Sequence, residues 1–179
     1  MNIQTQYQHA IAFAAAKHQN TGEKVKGTDL PYLVHVCNVT MEILIAAPQS
    51  GEFNSAMAVQ VALLHDTVED TDTTLEEISQ LFGNDIATGV SALTKDESLP
   101  KDEQIKDSVN RIKKLRKEIW AVKLADRITN LMPPPAEWDN NKIQQYIDDS
   151  NMILDELKEG NVYLANRLSE KIAEYSQYL

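Results

Sequence analysis

Apolar positions recur every three or four residues along nearly the whole chain, which is the period of a helix and not of a strand. Ile3, Tyr7, Ala10, Ile11, Ala14 and Ala15 share one face of a predicted helix over 3–18. The segment 22–29 is polar, carries glycines and two lysines, and reads as a loop. Pro31 then stands in the first-turn position that suits proline and opens a second helix running to about 47. Pro48-Gln49-Ser50-Gly51 interrupts the pattern, and a strongly apolar helix follows over about 53–65. Thr73-Thr74 ahead of Glu76-Glu77 signals the capped start of a short helix that Gly83 stops. Further helices are expected over about 84–93, 101–115, 117–131, 139–157 and 161–177. The triplet Pro133-Pro134-Pro135 is a hard stop after the helix over 117–131. No period-2 segment of useful length, internal repeat or low-complexity linker is visible. The pattern predicts a single all-α domain spanning 1–179, a helical bundle in which side chains from facing helices can build a buried site.

Composition narrows the partners. The 179 residues are 42% hydrophobic and 25% charged, as in an ordinary globular domain. A net charge of -10 argues against non-specific nucleic-acid binding and against an anionic membrane surface. It leaves room for a small anionic ligand, because a few lysines and arginines can reverse the potential within one cleft. Cys37 is the single cysteine, so no internal disulfide and no zinc knuckle can form. The first residues lack the basic-then-apolar layout of a signal peptide, and no apolar run approaches membrane-spanning length. A protein of the reducing cytoplasm is expected. A homo-oligomer is allowed by the sequence and not required by it.

The apolar pattern fails in three informative places. Residues 61–72 read Val-Ala-Leu-Leu-His-Asp-Thr-Val-Glu-Asp-Thr-Asp, an interior run that ends in an imidazole and several carboxylates. His65 and Glu69 are four apart, as are Asp66 and Asp70, so on a helix each pair stacks on one face. Burying such charge costs several kcal/mol unless it is compensated, and a divalent metal is the usual compensation. His35 follows apolar neighbours in Pro31-Tyr32-Leu33-Val34, and Asp126 sits among core-type residues in Val122-Lys123-Leu124-Ala125, with Asn130 one turn later. Two imidazoles and two carboxylates form a mixed nitrogen and oxygen set suited to manganese, iron or zinc.

His35, His65-Asp66 and Asp126 together resemble the metal signature of HD-domain phosphohydrolases. The segments Pro31-Tyr32-Leu33-Val34-His35, Ala62-Leu63-Leu64-His65-Asp66-Thr67-Val68-Glu69-Asp70-Thr71 and Val122 to Leu131 are similar to the hydrolase domain of RelA/SpoT proteins. Stand-alone small alarmone hydrolases of that group have about this length. The resemblance implies one Mn²⁺ on His35, His65, Asp66 and Asp126, with Glu69 and Asp70 as catalytic carboxylates. It implies hydrolysis of the 3′-pyrophosphate of ppGpp or pppGpp to GDP or GTP, without synthetase activity. It also implies nucleotide contacts from Lys24, Lys26, Lys101, Lys142 and Tyr146, with Asn130 near the ribose. Family members commonly carry an Arg-Lys pair in the loop where this chain reads Lys24-Val25-Lys26, and lysine lacks the forked, stacking geometry of arginine. Two alternatives follow: another phosphorylated nucleotide as substrate, such as the 2′-phosphate of NADPH or an adenosine analogue, or a nucleotide-sensing module without turnover. The cations around Arg111 read as a solvated helix face, His9 and His18 as surface or rim residues, and Cys37 as a small buried residue.

Overall fold

The computed structural model describes residues 2–179, and these form ten α-helices and no strand. In chain order they are α1 (Ile3–Thr21), α2 (Leu33–Ala46), α3 (Ser55–Leu64), α4 (Thr67–Asp70) and α5 (Leu75–Phe82). After these come α6 (Asn84–Leu93), α7 (Lys101–Ile112), α8 (Lys117–Asn130), α9 (Asn140–Leu157) and α10 (Val162–Tyr175). No helix among the described residues is long and apolar enough to cross a membrane.

α3 is the axis of the bundle. Every residue from Met57 to Leu64 is buried, because α1, α2, α6 and α8 pack around it on all sides. A helix apolar all round belongs in an interior. α8 is nearly as deep, with every residue from Ala121 to Ile128 buried, Lys123, Asp126 and Arg127 included. It is clasped by α2, α3, α9, α10 and the short turn Lys158–Gly160. A Cβ on Gly160 would lie 3.2 Å from the Ala121 nitrogen and collide with the Trp120 side chain, so only a glycine lets this turn press against α8.

Local chemistry sets the helix ends. Asn54, Thr74, Asp139 and Asn161 each accept a hydrogen bond from a first-turn backbone N–H of α3, α5, α9 and α10. Buried Glu118 also reaches back from α8 to accept from the Asn54 N–H at 2.7 Å, tying the start of α3 to α8. Two boundaries differ from the sequence pattern. Pro31 lies ahead of α2 rather than in its first turn. It pairs with Lys24 in an isolated bridge, and its carbonyl accepts from the Val34 N–H at 2.9 Å. The chain also does not run helically through the His-Asp pair: α3 ends at Leu64, His65 and Asp66 form a turn, and α4 begins at Thr67. The Thr67 hydroxyl closes that turn by donating to the Leu64 carbonyl at 2.7 Å.

A candidate metal centre in a charged cavity

The turn after α3 swings Asp66 toward the same point as His65. His35 in the first turn of α2 and Asp126 in the third turn of α8 meet them there. One donor atom from each of the four residues lies within 4.8 Å of the other three. His65 Nε2 is 2.8 Å from Asp66 Oδ2 and 3.7 Å from Asp126 Oδ1. His35 Nε2 is 3.6 and 3.4 Å from the same two oxygens. His65 Nδ1 donates to the Ala62 carbonyl at 2.8 Å, which leaves Nε2 as the nitrogen that faces the cluster. His35 Nδ1 is 3.3 Å from the Thr129 hydroxyl. Both Nε2 atoms are buried without a hydrogen-bond partner, an unfavourable state for imidazoles at 4% and 2% exposure. Two orphaned imidazole nitrogens facing two carboxylate oxygens fit a divalent cation.

The carboxylates are oriented from outside the cluster. Asp126 Oδ2 accepts from Lys123 Nζ at 3.0 Å, and Asp126 Oδ1 accepts from Asn130 Nδ2 at 2.5 Å. Tyr32 donates its hydroxyl to Asp66 Oδ2 at 2.5 Å. Burial opposes the charge on Asp66, but the close imidazoles of His65 and His35 hold its carboxyl far below the usual range. Burial likewise opposes Asp126, and Lys123 with both imidazoles holds it well below. Burial disfavours the imidazolium of His65, yet the two aspartates push its pKa well above that of a free imidazole, and that of His35 upward too. These are the imidazole protons that a cation displaces.

Glu69 and Asp70 flank the cluster and differ in company. Glu69 accepts from the Lys95 backbone N–H at 2.9 Å and forms an ion pair with the Lys95 ammonium. Asp70 has no such cation. Burial, then the charge of Asp66, pushes its carboxyl up to about 7. All six residues except buried His65 border one cavity of about 450 Å³, together with Lys24, Lys26, Lys95, Lys123 and Arg127. Five carboxylates, Glu23 among them, line the same cavity, and Lys24, Lys95 and Lys123 are each paired with an acid, so the cations offer an anion separate contacts and not a net positive field.

The residues expected to contact nucleotide divide into two groups. Lys24, Lys26, Asn130 and Tyr146 line the cavity. Lys24 Nζ is paired with Asp29 at 2.7 Å, and Lys26 Nζ lies 4.4 Å from the centre of the Trp138 ring. Tyr146 stands edge-on to Trp138, with ring centres 5.2 Å apart, and the Arg127 guanidinium lies 4.5 Å over its ring. Lys101 and Lys142 are exposed on the first turns of α7 and α9 and do not border the cavity. The Lys142 ammonium reaches Gln145 at 3.4 Å instead.

Sequence reasoning passed over Lys95, Arg127, Tyr32, Trp138 and His18. Arg127 is 5% exposed, with Nε and one terminal nitrogen lacking partners inside the protein. His18, expected at the surface or rim, is buried at 3% exposure, and burial lowers its pKa to about 4. Its spacing from Ala10 and Ala14, both buried, was the signal: all three lie on the inner face of α1. Cys37 is half-buried.

Comparison with known proteins agrees with this geometry. Residues 10–149 match the family model described as HD domain. The guanosine-3′,5′-bis(diphosphate) 3′-pyrophosphohydrolase of Danio rerio is 34% identical over 169 residues, covering 92% of this chain and 91% of that protein. The Homo sapiens protein of the same name is 34% identical over 164 residues, covering 89% and 88%. A solved structure of a metazoan orthologue of SpoT that hydrolyses ppGpp superposes with a TM-score of 0.82 at 29% identity, covering 97% of each chain.

Proposed function

The chain belongs to the HD-domain family, and on that premise we propose that it hydrolyses the 3′-pyrophosphate of guanosine 3′,5′-bis(diphosphate) with Mn²⁺ held by His35, His65, Asp66 and Asp126. One observation carries the reading. A four-donor cluster, two further carboxylates and five cations share one cavity, in a chain 34% identical over nearly its whole length to enzymes of that activity. When bound, the cation supplies Lewis acidity toward a phosphoryl oxygen and toward water.

The protein's own groups account for the rest of the chemistry. Water oxygen bonds to the phosphorus next to the ribose 3′-oxygen, and the bond from that phosphorus to the 3′-oxygen breaks. GDP and pyrophosphate are the products, or GTP and pyrophosphate from the pentaphosphate. Glu69, fixed by two contacts from Lys95, has a defined direction and orients the water. Asp70, whose carboxyl is the one pushed up to about 7, carries the proton between water and the leaving 3′-oxygen. Lys95, Lys123 and Arg127 offset phosphate charge in the inner cavity, and Lys24 and Lys26 do so at its mouth. Trp138 and Tyr146 offer ring faces and edges to the nucleoside.

The test is incubation of purified protein with ppGpp and Mn²⁺, beside an EDTA control, following GDP and pyrophosphate. GDP release that EDTA abolishes is the expected result. Absence of turnover with the metal loaded overturns the assignment of substrate.

A further inference from the structure

We infer that Tyr32 is a positioning residue that holds two of the four metal donors, His35 on α2 and Asp66 on the turn after α3, in mutual register. The inference rests on the metal-centre reading given above. Tyr32 is the residue immediately before α2, and its side chain does two things at once. Its hydroxyl donates to Asp66 Oδ2 at 2.5 Å, across 34 residues of sequence. Its ring lies against the His35 ring, with centres 5.2 Å apart. A phenol is protonated at neutral pH and the Asp66 carboxylate can only accept, so the hydroxyl is the donor.

The Tyr32 ring also lies beside His18, with ring centres 4.8 Å apart and planes inclined by 37°. His18, Tyr32, His35 and His65 thus form a continuous column of rings, the last pair 5.4 Å apart. Neither ring nitrogen of His18 has a hydrogen-bond partner within the protein. What His18 gives Tyr32 is therefore ring-to-ring packing. That support matters because Tyr32 is a partition. It borders both the cavity beside the metal donors and a second cavity of about 430 Å³ that His18 also lines. Without a backing ring, the phenol could tilt into the second cavity and release Asp66.

Groups that orient metal-binding side chains commonly contribute ten- to a hundredfold in metal affinity. The experiment is calorimetric titration of Mn²⁺ into metal-free wild type, Tyr32→Phe, His18→Phe and His18→Ala, with kcat and KM for ppGpp measured at saturating Mn²⁺. Tyr32→Phe keeps the ring and removes the hydroxyl. It should weaken Mn²⁺ binding about tenfold or more, with KM unchanged and kcat restored at saturating metal. His18→Ala should weaken Mn²⁺ by a smaller factor, and His18→Phe should not. Equal Mn²⁺ affinity in wild type and Tyr32→Phe overturns the inference while leaving the metal centre intact. A raised KM with unchanged Mn²⁺ affinity also overturns it, because Tyr32 would then be touching substrate. Wild type that takes up no Mn²⁺ overturns the metal reading itself, and this inference with it.

Discussion

The two ends of the catalytic cavity are built by different rules. At the inner end, His35, His65, Asp66 and Asp126 come from α2, the end of α3 and α8, which pack directly on one another. Both carboxylates and His65 are aimed by a further hydrogen bond, and His35 by Thr129 and the Tyr32 ring. At the mouth, Lys24, Lys26, Trp138 and the three prolines come from two loops, and Tyr146 from the first turns of α9. Their contacts are a cation over a ring, ring edges, and an exposed ion pair. Reaction chemistry tolerates little displacement of the reacting groups and is mounted on packed helices. Recognition tolerates adjustment and is mounted on loops.

The sharpest way to break this comparison is at the inner end. Asp126→Ala should abolish metal uptake and turnover together, whereas intact Mn²⁺ binding in a calorimeter would show that the four donors do not act as one site. Glu69→Gln comes next. It should leave metal affinity in place and lower kcat by roughly 10²-fold, as misplacement of the attacking water does, and an unchanged kcat would remove Glu69 from the chemistry. pH offers a third probe. His35 and His65 both hold their protons more tightly than a free imidazole in the metal-free protein, so uptake must expel protons. Mn²⁺ affinity should therefore rise with pH across the neutral range, by about tenfold per unit for each proton expelled. Calorimetry in buffers of different ionisation enthalpy counts those protons, and a count of zero contradicts the description.

Changes at the mouth should be milder and of another kind. Trp138→Ala should raise KM about fivefold, near 1 kcal/mol of lost stacking, with Mn²⁺ affinity and kcat preserved. A fall in kcat without a change in KM would mean that the two ends are not separable. Lys101→Ala and Lys142→Ala should change kcat/KM by less than about twofold, since neither residue borders the cavity. A tenfold loss from either would extend the nucleotide site beyond the walls described.

The same division governs what could be read from sequence. His35, His65, Asp66 and Asp126 stood out because each interrupts an apolar run, and an interrupted run is visible without any structure. The helices were legible for the same reason, to within a few residues at their ends. Arg127 was not, although it neighbours Asp126. A charged residue late in a mixed helix reads as solvated, and nothing local says that α8 is clasped on every side. Lys95 was hidden because its partner Glu69 is 26 residues away and the loop between α6 and α7 has no periodicity to give it a direction. Trp138 shares that difficulty, whereas Lys24 and Lys26 were named through the family resemblance and do line the cavity. His18 was the avoidable miss, since its spacing from Ala10 and Ala14 already placed it on the inner face of α1.

The spread of the donors along the chain has a mechanical consequence. Positions 35, 65, 66 and 126 enclose about half of the sequence, and with one cysteine the chain has no covalent cross-link available. A cation on those four side chains would act as a removable staple, closing two long loops at once. Ligation confined to the folded state adds about 2.7 kcal/mol of stability at a hundredfold excess over Kd. Chelation should therefore lower the melting temperature as well as stop turnover, and the enzyme would carry its reactive centre and its clamp in the same four residues.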